Sequence, residues 1–208
     1  MKLKKAAMFG LDARIALAIF GALSVISGAA LYSAIQQAKT EQFRQYFEEI
    51  IKATEQYYLD NGKVLPEYTS NDYVYIGDLA SNRESLSTWA GPYLAVSSVD
   101  SSHSHFMDSM TAQVHSTSET YMLMRKSSTW TEMNDLNADG ICASNDPDCA
   151  DWITLSAVDA SATLTLLSIF NNLDESVDGG DGMLAGKVRY NTAANDHIMY
   201  RGIPRKNN

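Results

Sequence analysis

Basic residues are scarce in this chain: 16 lysines and arginines stand against 25 aspartates and glutamates, a net charge of −9 over 208 residues. Contacts to nucleic-acid phosphates need a surplus of Lys and Arg, so no nucleic-acid partner is expected. Cysteine is scarcer still, with Cys142 and Cys149 the only two. Without a nearby histidine they make a poor zinc site, whereas an even pair suits a disulfide in an oxidising compartment. Charge and proline are both missing from Ile15 to Ile35, so no proline breaks a helix there and no ionised side chain holds the stretch in water. Also missing are an internal repeat, a nucleophile elbow, a phosphate loop and a metalloprotease helix. Serine, histidine and aspartate are plentiful, yet no catalytic set emerges, and the chain does not read as an enzyme. What is present is apolar material, 45% of residues, enough for an anchor plus one domain with a core.

The 21 residues from Ile15 to Ile35 would span roughly 30 Å as a helix, about the thickness of a bilayer's hydrocarbon core. Lys2, Lys4, Lys5 and Arg14 against Asp12 put +3 on the residues up to 14, and the net −9 then leaves −12 on the rest. A basic end stays in the cytoplasm, so the acidic body is expected on the far side. A cleaved secretory signal is the competing reading, because SGAA from Ser27 to Ala30 is rich in small residues like a signal-peptidase site. Against it, the apolar run continues through Leu31, Ile35 and Ala38 into a helical pattern. Asp12 and Arg14 lie within one turn of the cytoplasmic end of the span, where water and headgroups solvate them.

That helical pattern is the clearest in the sequence. Phe43, Tyr46, Phe47, Ile50, Ile51, Tyr57 and Tyr58 recur at i, i+3, i+4, i+7, i+8, i+14 and i+15, with Glu48, Glu49, Lys52 and Glu55 between them, so one face is built to be buried. Asp60, Asn61 and Gly62 form a stop signal, and Pro66 follows. One helix is therefore expected from about Leu11 to Tyr58, roughly 70 Å at 1.5 Å per residue. Beyond it, DYVYIGDL (72–79), PYLAVSSV (92–99), TYMLMRKS (120–127), DWITLSAV (151–158) and GKVRYNT (186–192) read as strands of an antiparallel sheet. SATLTLLSIFNNLDE (161–175) keeps near-helical spacing and reads as a second, short helix. SSVDSSHSH (97–105) reads as a loop. The expected class is α+β, a long N-terminal helix packed on a small antiparallel sheet.

The order of these pieces carries a resemblance. A basic leader ending in Gly10, an apolar helix that turns amphipathic, YYLDNGKVLP (57–66) and then WAGPYL (89–94) is similar to type IV pilin-like proteins, most closely the major pseudopilins of type II secretion systems. The similarity covers about the first 95 residues, and LDESVDGGDGMLAGKVRY (173–190) adds a turn and closing strand of the same style. It implies a pilin-like fold with a leader of residues 1–10, a transmembrane and assembly helix of residues 11–35, and a globular domain of residues 36–208. It also implies processing by a prepilin peptidase after Gly10 and methylation of Leu11. The protein would then be a single-pass inner-membrane protein of a bacterium, its C-terminal domain periplasmic, or would be assembled in a pilus or pseudopilus. Its partners would be further copies of itself in a helical filament, the inner membrane, and the secretion or pilus assembly proteins. The family usually places glutamate at the fifth mature position, where it neutralises a neighbour's N-terminal amine. That position is Ile15 here, and the carboxylate nearest the start is Asp12, beside Arg14. Gly21 and Gly28 lower helix stability but let neighbouring helices approach closely.

DLNADGICASNDPDC (135–149) is the stretch richest in hard oxygen donors. Asp135, Asn137 and Asp139 followed by Gly140 match the first half of a calcium loop, with the Ile141 carbonyl turned inward and Asp146 at the twelfth position, shorter than the usual glutamate. Cys142 and Cys149 can close a small ring that pins this loop if their Cα atoms approach to about 5.5 Å. Calcium and a plain Asx-rich turn stapled by a disulfide both remain open. Major pseudopilins bind calcium in a loop of the globular domain, which the resemblance adds on the side of calcium. Asp178, Asp181, Gly179, Gly180 and Gly182 form a second acidic turn, read as a tight connection before the strand Lys187–Tyr190 in preference to a metal site. His103 and His105 would share one face if their segment were a strand, but in so serine-rich a stretch a solvated loop is expected.

Two functions follow. In the first, the chain is a structural subunit of a type II secretion pseudopilus or related filament. In the second, it is a minor tip pilin or membrane-tethered domain whose extra residues, 97–150, contact a ligand or surface.

Overall fold

The computed structural model describes residues 3–68, 73–126, 142, 149–157, 159–192 and 196–205. Its first element, helix α1, is Leu3–Asn61. The stop signal works as its residue types require. Gly62 takes a φ of 65°, a left-handed conformation that costs glycine nothing. Its N–H donates to the Tyr58 carbonyl at 2.8 Å, and the Asn61 side-chain amide donates to the Tyr57 carbonyl at 2.9 Å. Carbonyls that a helix end would otherwise leave unpaired are thus satisfied.

Two units divide the chain, Met1–Lys39 and Thr40–Asn208. In the first, every residue from Asp12 to Ile35 is exposed, including Leu17, Phe20, Val25 and Ile26. Among the described residues α1 is the one helix long and apolar enough, by length and composition, to cross a membrane.

In the second unit, a seven-stranded antiparallel sheet carries the domain. Its strands are β1 (Tyr73–Val74), β2 (Ser98–Val99), β3 (His105–Met107), β4 (Glu119–Lys126), β5 (Cys149–Ala157), β6 (Val188–Asn191) and β7 (Asp196–Pro204). They lie in the order β2-β3-β4-β5-β7-β6, with β1 paired to Met122 and Leu123 in the middle of β4. A single helical turn, α2 (Thr111–Val114), links β3 to β4, and α3 (Thr163–Asp178) links β5 to β6.

Side chains alternate across strands, and the sheet sorts accordingly. Met122, Met124, Ile153, Leu155, Ile198 and Tyr200 join Phe43, Phe47, Ile50 and Tyr57 of α1, and Leu166, Phe170 and Leu173 of α3, in one core. Phe47 stacks flat on Tyr200 with centroids 4.9 Å apart, and the Tyr46 hydroxyl bonds the Thr120 hydroxyl at 2.6 Å. The opposite face gathers Tyr121, Leu123, Ala150, Trp152 and Met199.

Several expectations need correction. The amphipathic face of α1 closes with Ala53, Thr54 and Tyr57, whereas Ile51 is half-buried and Tyr58 is 38% exposed. Ile76–Leu79 is a 3-10 helix, so DYVYIGDL keeps only Tyr73–Val74 as strand, and PYLAVSSV keeps only Ser98–Val99. SSVDSSHSH is the hairpin between β2 and β3, with Val99 paired to Phe106. Strand β7 was not expected at all, although it sits between β5 and β6 and is buried from His197 to Tyr200. A strand covered on both faces shows no polar alternation to read.

Candidate functional site

Two of the motifs that carry the resemblance, YYLDNGKVLP and WAGPYL, meet at the end of α1. Asn61 accepts from the Thr88 hydroxyl at 2.7 Å, and Tyr57 meets Tyr93 edge to face at 5.8 Å. The Trp89 indole donates to the Asp78 carbonyl at 3.0 Å, and the Tyr93 amide donates to the Leu79 carbonyl at 2.8 Å. YYLDNG and WAGPYL therefore clasp each other, and WAGPYL in turn holds the 3-10 helix. At its centre Arg83 grips both oxygens of buried Asp78 at 3.0 Å and lies over the Tyr75 ring at 3.7 Å. Burial pushes the Asp78 carboxyl above its usual range, and Arg83 acts against that rise. His103 has a φ of 58° in the hairpin turn and approaches Asp78 at 3.5 Å. His105 instead bonds the Ser104 hydroxyl at 2.7 Å. His103 lies in the turn and only His105 in β3, so no strand runs through both to put them on one face.

Asp12 and Arg14 are exposed positions on α1, as is Gly10, and Leu11 lies in the same helix. Of the acidic loop, Asp135, Asn137, Asp139, Ile141 and Asp146 lie outside the described residues. Its two cysteines are joined: Cys142 and Cys149 form a disulfide with Cα atoms 5.6 Å apart.

The other acidic turn is more than a connection. One carboxylate oxygen each from Asp174, Asp178 and Asp181 lies within 4.8 Å of the others, a cluster that can hold a metal ion. Asp174 and Asp178 are one turn apart at the C-terminal end of α3, where Gly179 closes the helix at φ 72°. Gly180 and Gly182, with φ of 77° and 98°, then fold Asp181 back toward them. Asp178 accepts the amides of Lys187 and Val188 at 2.8 and 2.7 Å, and Asp174 accepts that of Gly182 at 3.1 Å. Asp174 is 6% exposed, and burial, with Asp181 and Asp178 beside it, holds its carboxyl above the usual range. Its place was missed from sequence, but a signal existed: Asp174 precedes Asp178 by four, which on a helix puts both on one face.

Also missed was Arg205, 3% exposed near the C-terminus. Its guanidinium donates to Asp151 at 2.5 Å, to the Leu65 carbonyl at 3.0 Å and to Glu67 at 3.3 Å. Its amide donates to the Cys149 carbonyl at 2.9 Å. It ties the segment after α1 to the head of β5.

The fold is α+β, a long helix packed through its second half on an antiparallel sheet, with a closed disulfide and an acidic cluster. No family model matches the chain, nor does any curated protein or solved structure.

Proposed function

We propose that the chain is a structural subunit of a type II secretion pseudopilus or related type IV pilus-like filament, inserted in the inner membrane and polymerising through its N-terminal helix. The observation that carries this reading is the change of character along α1. From Ile15 to Ile35 it is uncharged and exposed on every side, and from Phe43 to Tyr57 it offers one buried face to the sheet. A helix apolar all round is stable in lipid and equally in a bundle of like helices, so it can pass from membrane to filament core at little cost. The clasp made by YYLDNG and WAGPYL adds a physical reason for the order of motifs. In this reading a prepilin peptidase cuts after Gly10, and Asp12 then lies beside the new amine of Leu11. A charge inside a packed core costs several kcal/mol unless paired, which gives Asp12 an assembly role, with Arg14 its neighbour at the membrane surface. Calcium belongs to the same reading through Asp135, Asn137, Asp139, Ile141 and Asp146, in the 135–149 stretch that carries both cysteines.

The test is the intact mass of the protein extracted from membranes. The expected species begins at Leu11 and carries one added methyl group. A species retaining residues 1–10 would count against the reading and leave a plain anchor.

A further inference from the structure

Asp174, Asp178 and Asp181 pose an electrostatic problem that the described residues do not solve. Three carboxylates crowd within 4.8 Å at the C-terminal end of a helix. The negative end of the helix dipole disfavours anions, and the last turn of α3 holds no basic residue. The nearest cationic side chains in sequence are spent elsewhere. Lys187 lies over the Tyr200 ring at 4.6 Å and Arg189 over Trp152 at 4.8 Å. Among the described residues no lysine or arginine pairs with any of the three aspartates.

Two further features point to a ligand. The Oδ1 atom of Asp174 is buried with no hydrogen-bond partner, and an orphaned buried carboxylate oxygen is costly. At Gly186, with φ 69°, a Cβ would stand 2.5 Å from Asp178 Oδ2 and 2.7 Å from Asp181 Oδ2. Oxygens from two aspartates therefore converge on one spot, against a residue that has no side chain.

We propose that Asp174, Asp178 and Asp181 form a binding site for a hard divalent cation of the calcium and magnesium class, pinning the end of α3 to the start of β6. All three ligands are carboxylates, with no imidazole or thiolate among them, which selects hard cations over zinc or copper. Water and main-chain carbonyls complete the coordination of such ions. The site shares no residue with the 135–149 loop and is independent of the filament reading. It makes the glycine-rich turn a clasp closed by charge neutralisation, where a bare turn would only accept amide hydrogen bonds.

The experiment is thermal unfolding of the full chain in detergent micelles, stripped with EDTA and then given millimolar CaCl2 or MgCl2. A ligand that binds only the folded state raises the midpoint, by about 5–10 °C at a hundredfold excess over Kd. Asp181 is exposed, so Asp181→Asn is expected to melt within about 2 °C of the stripped wild type and, when combined with Asp139→Asn to silence the 135–149 loop, to lose the cation response. Asp139→Asn alone is expected to keep a rise in midpoint. No shift with either cation, or a full shift in Asp181→Asn, would overturn the site. Loss of the response in Asp139→Asn with its retention in Asp181→Asn would move it to the other loop.

Discussion

Arg205→Ala is expected to remove about 3–5 kcal/mol of folding stability, the cost of leaving a buried charge without its partner. Asp151 is wholly buried, and Arg205 supplies the one ion pair it makes among the described residues. Its Oδ2 atom already lacks a partner, so the truncation would strand both oxygens. The same side chain also donates to the Leu65 carbonyl, and that acceptor would be orphaned too. The measurement is urea unfolding of the full chain in micelles, followed by far-UV circular dichroism. Asp151→Asn combined with Arg205→Met is expected to recover much of the loss, because the double change removes the charge together with its counter-ion. A cost below 1 kcal/mol for Arg205→Ala would mean that the C-terminus does not clasp β5.

The second large effect lies on α1. Phe47→Ala is expected to cost about 3–5 kcal/mol, the usual price of emptying a buried aromatic site. Phe47 is fully buried and stacked on Tyr200, at the centre of the contact between helix and sheet. Leu59, on the same helix, is 72% exposed, and Leu59→Ala is expected to change stability by no more than about 0.5 kcal/mol. The contrast between the two, read in the same urea experiment, tests which face of α1 the sheet covers. Equal effects would place the buried face elsewhere.

These two residues also mark where sequence reasoning succeeds and where it stops. Phe47 was legible because a helix with one covered face must repeat its apolar residues at 3.6, and Phe43, Tyr46, Phe47 and Ile50 do so with charged residues between them. The end of α1 was legible for a similarly local reason, since Gly62 is the residue that a left-handed helix cap selects. The disulfide was legible from a pair of cysteines with no other partner. Arg205 was not legible, because its role is set by Leu65, Glu67, Cys149 and Asp151, which are distant in the chain, and no periodic signal links them. Strand β7 was hidden by burial on both faces. The 72–79 stretch misled because Ile76 and Leu79 are buried by the 3-10 turn and not by strand alternation. The acidic cluster lay between these extremes. Asp178 and Asp181 stand out among their glycines, but the third carboxylate comes from the helix before the turn, and only the left-handed glycines bring Asp181 back to it.

The filament reading depends on what the exposed apolar half of α1 does when many copies meet. Electron microscopy of the purified full-length protein, after the detergent is withdrawn, tests this most directly. The expected result is helical filaments of uniform diameter, with the apolar helices of neighbouring copies packed in the interior. Single-pass protein that returns to vesicles as dispersed monomers, with no filaments at any concentration, would contradict it.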